Sequence, residues 1–213
     1  MAAENALPLA LLFTTPACPH CPGVKQALSQ LRAEGLVAAL EVVDAATETG
    51  RARALGVRGV PWLKLGAFEF EGRMSLGELR HWAQLAARPD GLKTYFFEML
   101  KSGRRAKVEQ ALRDDPACGV LLAQLVTDPE AGMAVRLGIG AVLEELQGSG
   151  VTGPMAPPLA RTLAHADARD RADIAHFLSL IGGEAAREAL RGCLDDPDSE
   201  VREIARDVLS NPP

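Results

Sequence analysis

The sequence predicts a mixed α/β domain followed by an all-α domain of stacked helical pairs. Three observations carry this. A Cys18-Pro19-His20-Cys21 run sits between an apolar segment and a helical pattern. The segments up to Ala87 alternate in the order β-α-β-α-β-β-α. Beyond Arg88-Pro89-Asp90-Gly91, apolar residues recur only at helical spacing. Domains spanning 1–88 and 92–213 follow.

The apolar run from Leu7 to Thr14 predicts a buried strand. Pro22 to Leu31 predicts a helix, with Val24, Ala27, Leu28 and Leu31 on one face. Leu36 to Val43 is rich in Val, Leu and Ala and reads as a second strand. Ala46 to Leu55 reads as a short helix ended by Gly56. Pro61 to Leu65 and Phe68 to Glu71 read as two strands turned through Gly66-Ala67. Leu76, Leu79, Trp82, Ala83 and Ala86 then mark a last helix. Trp62, next to Pro61, is expected in the core or in a groove wall.

In the second half, Leu92, Tyr95, Phe96, Met99 and Leu100 form one apolar stripe. Further stripes begin at Cys118, Val135, Ile174, Ala186 and Val201, each about three turns long. Asp115-Pro116, Asp128-Pro129 and Asp196-Pro197 each offer a capping carboxylate before a proline suited to a first helical turn. Leu125, Leu163 and Leu194 open similar segments 38 and 31 residues apart. That spacing predicts about four helical pairs over 92–210, which must stack to bury their apolar faces. With only a four-residue break before them, the pairs are expected to pack directly on the first domain. Tyr95 and Phe96 are expected to bury against Trp82 or its neighbours. Cys118 and Cys193 lie on apolar faces and read as small buried hydrophobes.

Composition sets limits. A hydrophobic fraction of 47% is ample for a packed core, and a net charge of −5 gives no reason to expect nucleic acid. The first ninety residues are close to neutral, so nearly all the negative charge belongs to the rest. Four cysteines, two of them isolated, do not make a disulfide framework. Glu4 stands where a secretory signal would carry Lys or Arg. No apolar run reaches the roughly 18 residues of a membrane span. The expected location is the cytoplasm, with no membrane partner.

The chemistry is expected at the CxxC. A thiolate is the nucleophile in thiol chemistry, and a helix start favours an anion. Cys18 falls where strand turns into helix. Pro19 suits the first helical position, and His20 can stabilise the thiolate by charge or hydrogen bond. Cys21, one turn on and more buried, can resolve a mixed disulfide. A zinc site needs about four ligands, and no second CxxC or neighbouring His pair appears. A cluster shared by two chains is the alternative metal reading; no metal or cofactor is expected otherwise.

Cys18-Pro19-His20-Cys21, Val60-Pro61 and the element order resemble the thioredoxin superfamily, especially its compact glutaredoxin-like members. Gly56-Val57-Arg58-Gly59-Val60-Pro61-Trp62 looks like the family's run into its hairpin, and the likeness spans about residues 5 to 88. It implies a thioredoxin-like fold. It also implies a cis Val60-Pro61 bond facing the cysteines, with Val60 and Pro61 binding substrate through a free backbone edge. Ala17 stands where thioredoxins carry Trp. Glu71-Gly72-Arg73-Met74 lacks the Gly-Gly-Asp type run with which glutaredoxins hold glutathione. Asp195-Asp-Pro-Asp-Ser-Glu-Val-Arg-Glu-Ile-Ala resembles a HEAT repeat.

The expected function is thiol–disulfide oxidoreduction by Cys18 and Cys21 on a protein thiol or disulfide, with glutathione as a further candidate. The HEAT-like half would then recruit or present protein partners. The alternative is a HEAT-like interaction scaffold with a regulatory or vestigial redox domain. Oligomeric state is not legible.

Overall fold

Four short strands meet in one mixed sheet of order β2-β1-β3-β4. They are β1 (Leu9–Thr14), β2 (Ala39–Asp44), β3 (Trp62–Leu65) and β4 (Phe68–Glu71). The computed structural model describes residues 6–210. β1 runs parallel to β2, with Phe13 opposite Val43, and antiparallel to β3, with Phe13 opposite Trp62. β3 and β4 form the hairpin expected around Gly66, whose φ of 59° falls in the left-handed region that glycine tolerates.

Side chains on a strand alternate between faces. Phe13, Val43 and Trp62 therefore share one face, where they bury with Ala52 of helix α2 (Thr49–Ala54). Ala10, Leu12, Leu63 and Leu65 are buried on the other. Helices α1 (Cys21–Ala33) and α3 (Leu76–Ala86) pack against each other and against the sheet. Each fully buried Leu or Phe contributes about 1.5–3 kcal/mol.

Several expected boundaries shift. β1 begins at Leu9, not Leu7, and both leucines are exposed, at 41% for Leu7 and 64% for Leu9. The apolar run is thus only partly a buried strand, because α2 is too short to cover that whole face. β2 starts at Ala39 and is largely exposed, as a sheet edge is. α3 starts with a reciprocal cap: Ser75 Oγ accepts from the Glu78 N–H, and the Glu78 carboxylate accepts from the Ser75 N–H at 2.7 Å.

The Arg88-Pro89-Asp90-Gly91 segment is a tight turn between α3 and helix α4 (Gly91–Lys101). Tyr95, in α4, is 1% exposed. It stacks on Phe68 at 4.6 Å between centroids and meets Trp82 edge-on at 5.8 Å.

The chain divides into two compact units, Met1–Tyr95 and Phe96–Pro213, so the division falls within α4. Among the described residues the second unit is entirely helical. It holds the rest of α4, then α5 (Arg105–Asp114), α6 (Gly119–Val126), α7 (Met133–Glu145), α8 (Ala156–Leu163), α9 (Ala168–Ile181), α10 (Gly183–Arg191) and α11 (Ser199–Ser210). α6 packs on α7, α8 on α9 and α10 on α11. Leu100 reaches Gly138 of α7 so closely that an added Cβ there would lie 3.0 Å from the Leu100 side chain. No helix among the described residues is long and apolar enough to cross a membrane.

The three Asp-Pro pairs behave differently from one another. Asp115 caps a short 3-10 turn, Pro116–Cys118, by accepting from the Ala117 N–H. Asp128 holds a turn to Glu130 instead, and α7 starts only at Met133, behind Gly132. Asp196 accepts from the Asp198 N–H, and Asp198 in turn accepts from the Glu200 N–H in the first turn of α11. Asp167, without a proline, caps α9 through the Asp170 N–H.

Candidate functional site

Cys18 and Cys21 are joined as a disulfide, their Cα atoms 5.5 Å apart. The local sequence dictates the arrangement. β1 ends at Thr14, the Cys18 N–H turns back to the Thr15 carbonyl at 3.2 Å, and α1 begins at Cys21. Pro19 therefore precedes the helix. The proline within the first helical turn is Pro22, which lacks the N–H that would otherwise be orphaned there.

His20 is the N-cap of α1, but its side chain accepts no capping hydrogen bond. The Cys21 N–H donates instead to Cys18 Sγ at 3.1 Å. Sulfur thus stands where a Ser or Asp oxygen often caps a helix, at the end where unpaired N–H groups carry partial positive charge. Cys18 is half-buried, whereas Cys21 is 3% exposed.

The Val60–Pro61 bond is cis. The Val60 carbonyl oxygen lies 3.7 Å from Cys18 Sγ. The Pro61 carbonyl accepts from the Gly72 N–H at 2.9 Å, holding the start of the hairpin. Among the described residues the Val60 N–H has no backbone partner. Cys18, Cys21, Val60 and Pro61 thus gather at one place. Pro19 and His20 lie beside them, exposed at the surface.

Trp62 is 0% exposed and packs edge-on to Phe13 at 5.7 Å, so it is core and not groove wall. Its indole N–H has no acceptor among the described residues.

Two cavities are lined in part by residues that neighbour the cysteines. One, about 580 Å³, is lined by Thr15, Ala52, Arg53, Val57, Arg58 and Val60 among others. The second, about 420 Å³, is lined by residues that include Pro19, His20, Gln26, Gln30 and Arg73. Arg53 and Arg58 were not singled out by the sequence pattern. They flank Gly56-Val57, and their proximity to Val60 was the available signal.

The other two cysteines differ in kind. Burial, and secondarily Asp115, pushes the Cys118 thiol up to about 11, and the thiol donates to the Ala111 carbonyl. Cys193 sits just past α10, not on a helix face. Burial raises it too, and it donates to the Ala189 carbonyl. Both are protonated near neutral pH.

Comparison with models of known protein families and with curated protein sequences gives no match.

Proposed function

We propose that this chain is a thiol–disulfide oxidoreductase of the thioredoxin-like kind, with Cys18 as nucleophile and Cys21 as resolver. The observation that carries the reading is the Cys21 N–H directed at Cys18 Sγ in a half-exposed site at a helix start. The sheet order, with a parallel β1–β2 pair and an antiparallel β3–β4 hairpin behind Val60-Pro61, supports it. The three helix pairs of the second unit support a HEAT-like array that recruits or presents protein partners.

In the reduced protein, the Cys18 thiolate attacks one sulfur of a substrate disulfide. The substrate S–S bond breaks, and its second sulfur leaves as a thiolate that takes up a proton. Cys21, deprotonated, then attacks Cys18 Sγ. The mixed disulfide breaks, the remaining substrate sulfur leaves as a thiol, and the Cys18–Cys21 bond forms. Two electrons pass to the substrate, and an external dithiol, or two thiols in succession, restores the pair and leaves as a disulfide. The reverse sequence oxidises a dithiol. The Val60 backbone edge offers pairing to an extended substrate strand.

Insulin reduction by dithiothreitol tests the reading. The full chain accelerates it and Cys18→Ser does not. Equal rates with and without the wild-type chain would overturn the assignment.

A further inference from the structure

We infer that the cavity beside Val60 takes carboxylate side chains of a protein segment whose cysteine reacts at Cys18; this rests on the oxidoreductase reading. The substrate class is thus an acidic, extended protein segment.

The cavity starts at residues that touch the cysteine. Val60 presents its carbonyl to Cys18 Sγ, and Thr15 accepts the Cys18 N–H. Its floor is apolar, with Ala52 and Val57, and Arg53 and Arg58 line it. No carboxylate lines it. Among the described residues neither arginine has an ion-pair partner, whereas Arg51, Arg80 and Arg88 in the same unit are paired to Glu41, Glu34 and Asp90. The nearby Glu48 acts on Arg51. Two unpartnered guanidinium groups at an apolar floor fit carboxylates flanking an apolar side chain, and guanidinium binds carboxylate with two parallel hydrogen bonds.

The second cavity argues for a protein segment over glutathione. Glutathione carries a carboxylate toward each end, so holding it across Cys18 calls for an anion site on each side. In the second cavity two donors at the start of α3 are already taken: the Glu78 carboxylate accepts from both the Ser75 N–H and the Ser75 hydroxyl. Arg73, the cation there, also acts on Glu78. Among the described residues, two arginines without an ion-pair partner line the cavity on the Val60 side, against one, Arg73, in the second. A chain with acidic residues to one side of its cysteine matches this, and Val60 leaves its N–H open for main-chain pairing.

A preference for acidic segments runs against the overall charge. A chain of net charge −5 repels acidic substrates at long range. Preference for them must come from the local site.

The test uses the reduced full chain and cysteine peptides blocked as mixed disulfides with 2-mercaptoethanol. The peptides carry Glu on one side or the other of the cysteine, or Lys, or Ser. Glutathione blocked the same way and the neutral bis(2-hydroxyethyl) disulfide complete the set. One Glu peptide reacts on the order of tenfold faster than the Lys peptide at low ionic strength, and the ratio falls toward one at 1 M salt. The ratio also falls toward one in Arg53→Gln/Arg58→Gln and is retained in Arg53→Lys/Arg58→Lys. Equal peptide rates, a Lys preference, or blocked glutathione outpacing both Glu peptides, with the neutral disulfide still turned over, would overturn the proposal and leave the redox reading standing. No reaction with the neutral disulfide would overturn the redox reading and the proposal with it.

Discussion

The Tyr95 hydroxyl serves both backbone groups of Glu69: it accepts from the N–H at 3.1 Å and donates to the carbonyl at 2.9 Å. β4 is an edge strand, and its outward N–H and C=O groups need partners once covered. One phenol supplies two. Tyr95→Phe keeps the ring stack on Phe68 and removes both bonds. The expected cost is about 1–3 kcal/mol, since the buried donor and acceptor are left unmet. Both tryptophans, Trp62 and Trp82, lie in this unit, so the urea midpoint followed by tryptophan fluorescence reads the loss. An unchanged midpoint would mean water replaces the phenol at no cost.

Legibility in the sequence followed the strength of the local signal. The order β-α-β-α-β-β-α, the β4 limits and the α3 limits were readable because alternation and helical spacing were unambiguous there. α5 and α8 left no clear stripe. α5 buries only Val108, Glu109 and Leu112, and α8 opens Ala156-Pro157-Pro158, where prolines read as a break but sit in the first turn. The cysteines and Pro61 were legible as candidate site residues because each is a special residue type, and Val60 followed only from the resemblance, as the residue before Pro61. Arg53 and Arg58 were not legible, because their role depends on which arginines find partners, and that is set by packing.

After reduction, Cys18 is expected to alkylate in preference to Cys21, with an apparent thiol pKa below the roughly 8.5 of free cysteine. The cause is the Cys21 N–H and the α1 start. In the folded protein Cys118 and Cys193 stay unlabelled at pH 8, since burial raises both thiols, Cys118 to about 11. Mass mapping of iodoacetamide adducts against pH checks this. Preferential labelling of Cys21, or an unshifted Cys18, would reverse the nucleophile and resolver roles.

His20→Pro is expected to lower the Cys18–Cys21 reduction potential. His20 caps α1 beside Cys18 with an imidazole committed to no capping bond. If that ring favours the thiolate, its loss destabilises the reduced form and makes the disulfide less oxidising. Equilibration with glutathione buffers reads the shift, and an unchanged potential would remove His20 from the tuning role.

Gly91→Ala is expected to disrupt the α3–α4 turn. A Cβ at Gly91 would lie 1.8 Å from the Leu85 carbonyl oxygen and 2.7 Å from its carbon. Backbone cannot yield as a side-chain tip does, so the turn must open. The expected loss is several kcal/mol, on the scale of the largest single-site effects. Thermal unfolding by tryptophan fluorescence tests it. A wild-type midpoint would show that the turn relaxes freely.

Asp196 is expected to make the helical unit acid-sensitive. The Arg171 guanidinium holds it through Nε at 2.9 Å and Nη2 at 3.0 Å, and it also accepts from the Asp198 N–H. Those bonds hold its carboxyl below the ordinary value of 3.8. The folded state therefore favours the ionised form. The resulting stability is present above pH 3.8 and is lost as pH falls through the lower folded value. Asp196→Asn keeps one acceptor but loses the charge. It is expected to cost about 1.5–3 kcal/mol at neutral pH and to flatten the decline at acid pH. Arg171→Lys is expected to lose part of the same stability, because an ammonium cannot make the two-bond fork. Urea midpoints followed by the far-UV helical signal, from pH 7 down to pH 3, check both variants. Parallel pH curves for wild type and Asp196→Asn would show that another carboxylate sets the acid limit.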